Sequence, residues 1–240
     1  MRRPYELVVV GHDEFSDGVL QRLGTSDRAR LAGLDNAGRP RFLAGRTAVL
    51  AAVARLLGGP LHGITVDALC AACGLPHGRP VVSGATVALH VSVGHAGGSA
   101  FAVASRVPIG IDAESRGTPQ GRVDAISAVT GYRGPDPLSR WTATEAILKA
   151  DGRGLRVDPR DVLVGRGRGQ VLDRAVRYRL HRHRDLAGCV VTVAWADQAP
   201  IADGNPGSSG RSSHASNTAS KEASANSAAS RRKSSVDAAP

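Results

Sequence analysis

Cysteine, lysine and aromatic residues are all scarce in this chain. Three cysteines (Cys70, Cys73 and Cys189) in 240 residues are too few, and odd in number, for a disulfide scaffold, which points to a reducing compartment. Aromatic side chains make up 3% of the sequence, against the stacking platforms that single-stranded nucleic acid needs. No apolar run approaches the roughly 20 residues of a bilayer span, so no membrane partner is expected. The opening Met1-Arg2-Arg3-Pro4-Tyr5-Glu6 meets an acid before any long apolar segment. It does not read as a signal peptide, and the expected location is the cytoplasm.

What is abundant is arginine. The chain carries 31 basic and 21 acidic side chains, a formal +10, yet only three lysines: Lys149, Lys221 and Lys233. Leaving out residues 198–240, with five basic and three acidic side chains, still leaves 26 basic against 18 acidic. Such an arginine bias, with abundant Ala and Gly, largely reflects GC-rich coding, but a surplus of this size attracts anionic partners. Residues 198–240 are Ser, Ala, Asn and Gly with one basic cluster, Arg231-Arg232-Lys233. They have almost no large apolar side chain with which to offset folding entropy, and read as a disordered tail.

The preceding residues interleave strand and helix signals without strict alternation, so the class is α+β. Strands are expected at Glu6–Val10, Val87–Val93, Ser99–Ser105, Val107–Glu114, 162–164, 175–179 and 189–195. A Gly-rich turn over 94–98 should join the second and third of these as a hairpin. Pro40 opens a helix to Leu57 that Gly58-Gly59-Pro60 ends. A weaker helix covers 122–129. Another runs from Pro137 to about Ala150, capped by Asp136 and stopped by Gly152. Gly and Pro around 70–80 imply irregular chain.

Four clusters carry chemistry. In Pro108-Ile109-Gly110-Ile111-Asp112-Ala113-Glu114, strand alternation puts the apolar residues on one side and both carboxylates on the other. Adjacent carboxylates repel unless a cation lies between them, and hard oxygens suit Mg²⁺; a solvated acidic edge strand is the plain alternative. On the helix after Pro137, Leu138, Trp141, Glu145, Leu148 and Lys149 fall within one sector of about 100°. Glu145 and Lys149 should therefore share an apolar face, instead of forming an exposed pair worth about 0.2–0.5 kcal/mol. Lys149 is the one lysine before residue 198, and a retained ammonium among arginines suits a role for a compact, tunable charge. His95 sits in Gly94-His95-Ala96-Gly97, where glycine permits close backbone approach to a ligand. Cys70-x₂-Cys73-x₃-His77, just before Gly78-Arg79-Pro80, has metal-ligand spacing, but a structural zinc site needs four ligands and no clear fourth follows. His181-Arg182-His183-Arg184 reads as a solvated basic run.

Together Gly78-Arg79-Pro80, Gly94-His95, Gly110-Ile111-Asp112-Ala113-Glu114 and Trp141-x₃-Glu145-Ala146-x₂-Lys149-x₂-Gly152-x-Gly154-Leu155 resemble, in order and type, the 4′-phosphopantetheinyl transferases of the Sfp type, and among them actinobacterial members most. The resemblance covers most of residues 26–195. It implies two similar α+β lobes related by pseudo-twofold symmetry, here 1–106 and 107–197, the second carrying the metal and catalytic residues; no internal repeat is visible in the sequence itself. It implies a holo-[acyl-carrier-protein] synthase activity. Phosphopantetheine would pass from coenzyme A to a serine of an acidic apo carrier protein, with Mg²⁺ held by Asp112, Glu114 and Glu145. Glu145 and Lys149 would be catalytic, and Arg41, Arg79, His95, Arg46 and Arg28 would contact coenzyme A. Nucleic acid would not be a partner, and the protein would be a monomer. The chain departs from the family in having Gly94 where Ser is usual, Thr144 where Lys commonly precedes the glutamate, and a short 115–136 segment. A coenzyme A-binding homologue without transfer is the runner-up.

Overall fold

Strand-forming residues with one polar or small partner at every second position build two antiparallel sheets, each with one face under a helix. A computed structural model describes residues 3–70 and 73–197; the tail expected at 198–240 lies outside the described residues. Strand β1 (Tyr5–Gly11) pairs with β5 (Ser99–Ser105), which pairs with β4 (His90–Ala96). β6 (Ile109–Ser115) starts the second sheet and lies beside β10 (Cys189–Ala196), followed by β9 (Arg177–Leu186), β8 (Arg168–Val171) and β7 (Val162–Val164). A separate two-stranded pair, β2 (Thr65–Asp67) and β3 (Val81–Ser83), brackets the Cys/Gly/Pro-rich loop. The described residues form one compact unit, and the expected boundary near residue 106 falls between the two sheets.

Helix α2 (Gly38–Leu57) covers one face of the first sheet, burying Val8, Val91, Ala100, Ala102 and Ala104 against Ala44, Ala48, Val49 and Val53. The other residues of the same strands, Tyr5, Phe101 and Val103, meet Ile109, Ile111, Ala113, Val191 and Val193 of the second sheet in a core shared between the sheets. Period-two alternation thus assigns each strand residue to one of two hydrophobic layers. The opposite face of the second sheet packs on α4 (Pro137–Asp151). There Gly110 is required: a Cβ at that position would lie 2.1 Å from the Ala146 carbonyl oxygen. Bare backbone lets α4 settle directly on β6, bringing Lys149 and Glu145 to the carboxylate face of the strand.

Several expectations change. The strand through His95 runs to Ala96, so the turn is Gly97-Gly98 alone, both at positive φ. Of the stripe Leu138, Trp141, Glu145, Leu148 and Lys149, Leu148 lies in the core and the other four form the half-buried margin of α4. Thr142–Thr144, Ala146–Leu148 and Ala150 are buried nearly all round the helix, so small residues outweigh the Trp/Leu stripe. The basic run 181–184 is solvated at Arg182 and Arg184 alone; His181 and His183 are half-buried. It lies in β9, where Tyr5 Oη is 2.9 Å from His181 Nδ1 and the His181 and His183 rings meet edge-on at 4.3 Å. Burial, helped by the neighbouring His181 and Arg3 charges, pushes the His183 pKa down to about 4. The 115–136 segment holds α3 (Gln120–Thr130), packed against α4.

Candidate functional site

The site grows from the contact that Gly110 permits. Asp112 points from β6 toward α4, as strand alternation requires, and Lys149 Nζ donates to its Oδ1 at 2.7 Å and to the Ile111 carbonyl at 3.0 Å. Asp112 Oδ2 is buried with no hydrogen-bond partner. Burial raises the Asp112 pKa above the usual carboxylate range, the Lys149 ammonium opposes the rise, and Glu114 adds to it. Two residues on, Glu114 faces the same side and is closed by Arg122 of α3 in a two-pronged ion pair. One turn before Lys149, Glu145 makes no hydrogen bond among the described residues. Burial raises its pKa, Lys149 lowers it, and the charges of Asp112 and Glu114 push it up again. Three carboxylates therefore feel one another, and two of them answer to cations of the chain itself.

Mg²⁺ is the ion that this donor set invites. Hard oxygens, an unpartnered buried Asp112 Oδ2 and an unbonded Glu145 suit it, and Arg122, whose side chain is 56% exposed, can leave Glu114 for solvent. The three acids do not, however, bring their oxygens within 4.8 Å of one another. Among the described residues, the trio of ligand atoms that meets that limit is Cys70, Cys73 and His77.

Beside the carboxylates open two cavities, of about 1030 and 460 Å³, that share Gly78, Pro80 and Val93 in their walls. Lys149, Arg79, Arg153 and Arg156 line the larger; Arg30, Arg41, Arg46 and His95 line the smaller; among the described residues neither wall includes an Asp or Glu. Arg153 already pairs with Asp151 and Asp173, and Lys149 with Asp112, which leaves Arg79 and Arg156 as the larger cavity's cations without a carboxylate partner among the described residues. The wall chemistry is that of an anion site with more than one negative group.

His95 stands where β4 meets α2, its ring against Gly45, where a Cβ would lie 2.9 Å from the imidazole Cε1. Its Nδ1 is 3.3 Å from His12 Nε2. Burial, then the charges of Arg41, His12, Lys149 and Arg46, drives its pKa down to about 3. Arg41, one turn before Gly45, is exposed at the smaller cavity. Arg46 differs: its Nε and Nη2 both donate to the buried Asp27, the latter at 2.7 Å, and its guanidinium lies 4.8 Å from the Phe42 ring centroid. Arg28 Nε donates to the Leu23 carbonyl, and the residue lines neither cavity. Gly94 packs on the backbone of Asp112 and Ala113, with 3.4 Å from its notional Cβ to each. Ser92 Oγ, two residues earlier, accepts from the Ile111 N–H.

Sequence reasoning missed Arg122, His12, Arg30 and Arg156. Only folding brings the first two to Glu114 and His95. Arg30 belongs to a helix, α1 (Thr25–Ala32), whose basic residues were legible but not their direction.

No protein-family model matches the chain, and no curated protein matches it. Among solved structures, the fold is similar to a holo-(acyl-carrier-protein) synthase from Bacillus anthracis str. Ames in complex with CoA (3',5'-ADP). The identity is 19%, over 42% of this chain and 92% of that one, with a TM-score of 0.34.

Proposed function

We propose that this protein is a 4′-phosphopantetheinyl transferase of the Sfp type, with two similar lobes. It moves the phosphopantetheine arm of coenzyme A to a serine of an apo carrier protein and releases adenosine 3′,5′-bisphosphate. The observation that carries this reading is the carboxylate-free, cation-lined pair of cavities with Lys149 in its wall, bonded to Asp112 one helical turn from Glu145. Coenzyme A is a polyanion with a nucleotide end and a pyrophosphate, and two joined cavities of unequal size suit it. Arg41 and His95 would meet its 3′-phosphate end, and Arg79 the same nucleotide.

The serine oxygen attacks the phosphorus that carries pantetheine, the bond from that phosphorus to the oxygen bridging the pyrophosphate breaks, and the bisphosphate leaves with that oxygen. Glu145 takes the serine proton as general base. Lys149, with three donors and two of them occupied, offers the third to the departing oxygen. Asp112, Glu114 and Glu145 would hold Mg²⁺, which would supply neutralisation of phosphate charge when bound. Gly94 brings no hydroxyl to the 3′-phosphate. The basic surface steers an acidic carrier domain to a monomeric enzyme.

The test is incubation with coenzyme A, magnesium and a panel of apo carrier proteins, read as a mass gain of one phosphopantetheine. Glu145→Gln should lower transfer by roughly 10²–10⁴-fold while coenzyme A still binds, and Lys149→Arg should be severely impaired. Near-normal turnover by Lys149→Arg would refute the role of the ammonium. One observation favours a second reading, a coenzyme A-binding homologue without transfer: Lys149 and Arg122 already neutralise Asp112 and Glu114. That reading predicts binding with no mass gain on any carrier.

A further inference from the structure

One cluster of soft ligands has no part in the transfer chemistry. Of three cysteines in 240 residues, two fall four positions before and seven positions before His77, on the loop between β2 and β3. Backbone hydrogen bonds hold the loop ends together. Cys70 N donates to the Leu75 carbonyl at 2.9 Å, Gly74 N to the Cys70 carbonyl at 2.8 Å, and Gly78 N to the Ala68 carbonyl at 3.2 Å. Gly74 supplies the positive φ of +71° that the turn needs, and a Cβ on Gly78 would lie 2.3 Å from the Leu69 carbonyl oxygen. Glycine at both positions thus folds the loop back on itself. The result sets the Cys70, Cys73 and His77 ligand atoms within 4.8 Å of one another, with Cys73 Sγ 2.9 Å from His77 Nε2.

We propose that Cys70, Cys73 and His77 bind a zinc ion whose fourth position is open to the larger cavity and holds water. Zinc takes Cys sulfur at about 2.3 Å and His nitrogen at about 2.0–2.1 Å, and in a tetrahedron those lengths separate donor atoms by about 3.5–3.8 Å. The one short separation, 2.9 Å, and the 4.8 Å within which all three atoms lie are compatible with that range, so side-chain rotations complete the shell. Two thiolates, a neutral imidazole and a soft-to-borderline ion match in chemistry, and thiols that are protonated beforehand release their protons as the ion enters. Cys73 and His77 are exposed, which gives the ion a path in. Three protein ligands with an open position differ from a closed four-ligand clip, which is why no fourth ligand had to follow in the sequence.

All three ligands line the larger cavity, and the same loop supplies Gly78 and Pro80 to the wall between the two cavities and Arg79 to the larger. The ion fixes this wall at the end where its backbone is otherwise joined only through turns.

The full chain, reduced and stripped of metal, is titrated with zinc against a chromophoric chelator and, separately, with cobalt(II) as a spectroscopic substitute. One equivalent should bind, and cobalt should show thiolate charge-transfer absorption with the intense visible bands of a tetrahedral ion. Cys73→Ser and His77→Ala should each weaken zinc by more than the roughly 10–100-fold that even an outer partner of a ligand costs, and His77→Cys should retain it. Hydrogen exchange over residues 69–80 should slow on zinc addition and not in Cys73→Ser. Wild-type protein that binds no zinc beyond the Cys73→Ser level, gives cobalt spectra without thiolate bands, or takes copper(I) but not zinc overturns the assignment. If a variant fails to fold, the wild-type cobalt spectrum decides alone. None of these readouts involves coenzyme A, so they stand or fall apart from the transfer reaction.

Discussion

Two of the acid–base pairs among the described residues, Asp27–Arg46 and Asp112–Lys149, are built to opposite specifications. Asp27 and Arg46 have side chains 0% and 5% exposed and meet through two parallel hydrogen bonds, so both carboxylate oxygens are answered. Asp112 and Lys149 are 12% and 28% exposed, one oxygen is unpartnered, and the ammonium lines a cavity. A guanidinium fork saturates its carboxylate; a point charge cannot. The first pair ties α1 to α2 beneath the smaller cavity. The second leaves electrostatic capacity unfilled beside Glu145, which a substrate or ion can use. Charge at a site is therefore a poor guide to its role; unfilled hydrogen-bonding capacity is the better one.

The sharpest way to break this contrast is to neutralise each acid in turn. Asp27→Asn strands the Arg46 guanidinium in a closed interior and should cost about 3–5 kcal/mol of unfolding free energy. Asp112→Asn leaves Lys149 partly hydrated and bonded to the Ile111 carbonyl, and also relieves a buried carboxylate. It should stay within about 1 kcal/mol of the parent. Urea unfolding at neutral pH measures both, and equal losses would show that the open pair is as structural as the closed one.

A smaller effect comes from the helix–strand contact that makes the open pair possible. Gly110→Ala forces a methyl against the Ala146 carbonyl and the Ala150 N–H, notional contacts of 2.1 and 2.6 Å. Overpacking of this kind should cost about 1–3 kcal/mol. Because α4 must back away from β6, the Lys149–Asp112 bond should lengthen and any transfer activity fall further than the stability loss explains. Unchanged activity at reduced stability would remove Gly110 from the positioning of Lys149.

How much of this was legible beforehand follows from the range of the forces involved. β5 (Ser99–Ser105) and β7 (Val162–Val164), and the capped start of α4, match their expected limits, because alternation, Asp136 capping the Ser139 N–H and Gly152 at φ +87° act within a few residues. The side of β6 that carries Asp112 and Glu114 was likewise readable from period two. β2, β3 and β8 were not foreseen: each is three or four residues long, and β8 contains Gly169, whose Cα is overlaid by Ile147. Their pairing is set by tertiary contact. Arg46 was grouped with Arg41 as a phosphate contact, yet five helical residues turn a side chain by about 140°. Arg41 is exposed at the cavity while Arg46 reaches Asp27. The lone lysine was readable as special; its partner Asp112 was not.

The smallest effect sharpens the comparison most, because it separates stability from activity at one atom. Glu145 has its pKa raised by burial and by two neighbouring carboxylates, against the pull of Lys149. A folded-state pKa above the unfolded one means that the native state holds its proton more tightly. Its contribution is fully present below the unfolded pKa and disappears as pH rises through the folded pKa. At neutral pH the ionised Glu145 is then a net burden on the fold. Glu145→Gln removes the burden and should raise Tm at pH 7 by a few degrees at most, since about 1 kcal/mol moves a domain of this size by roughly 2–4 °C. The advantage should shrink as pH falls toward the ordinary carboxylate range, where both side chains are neutral. Differential scanning calorimetry of the two proteins across that interval measures it. A lower Tm for Glu145→Gln at pH 7, or a gap that widens on acidification, would mean that Lys149 already compensates the charge. Glu145 would then belong with Asp27, as part of the scaffold.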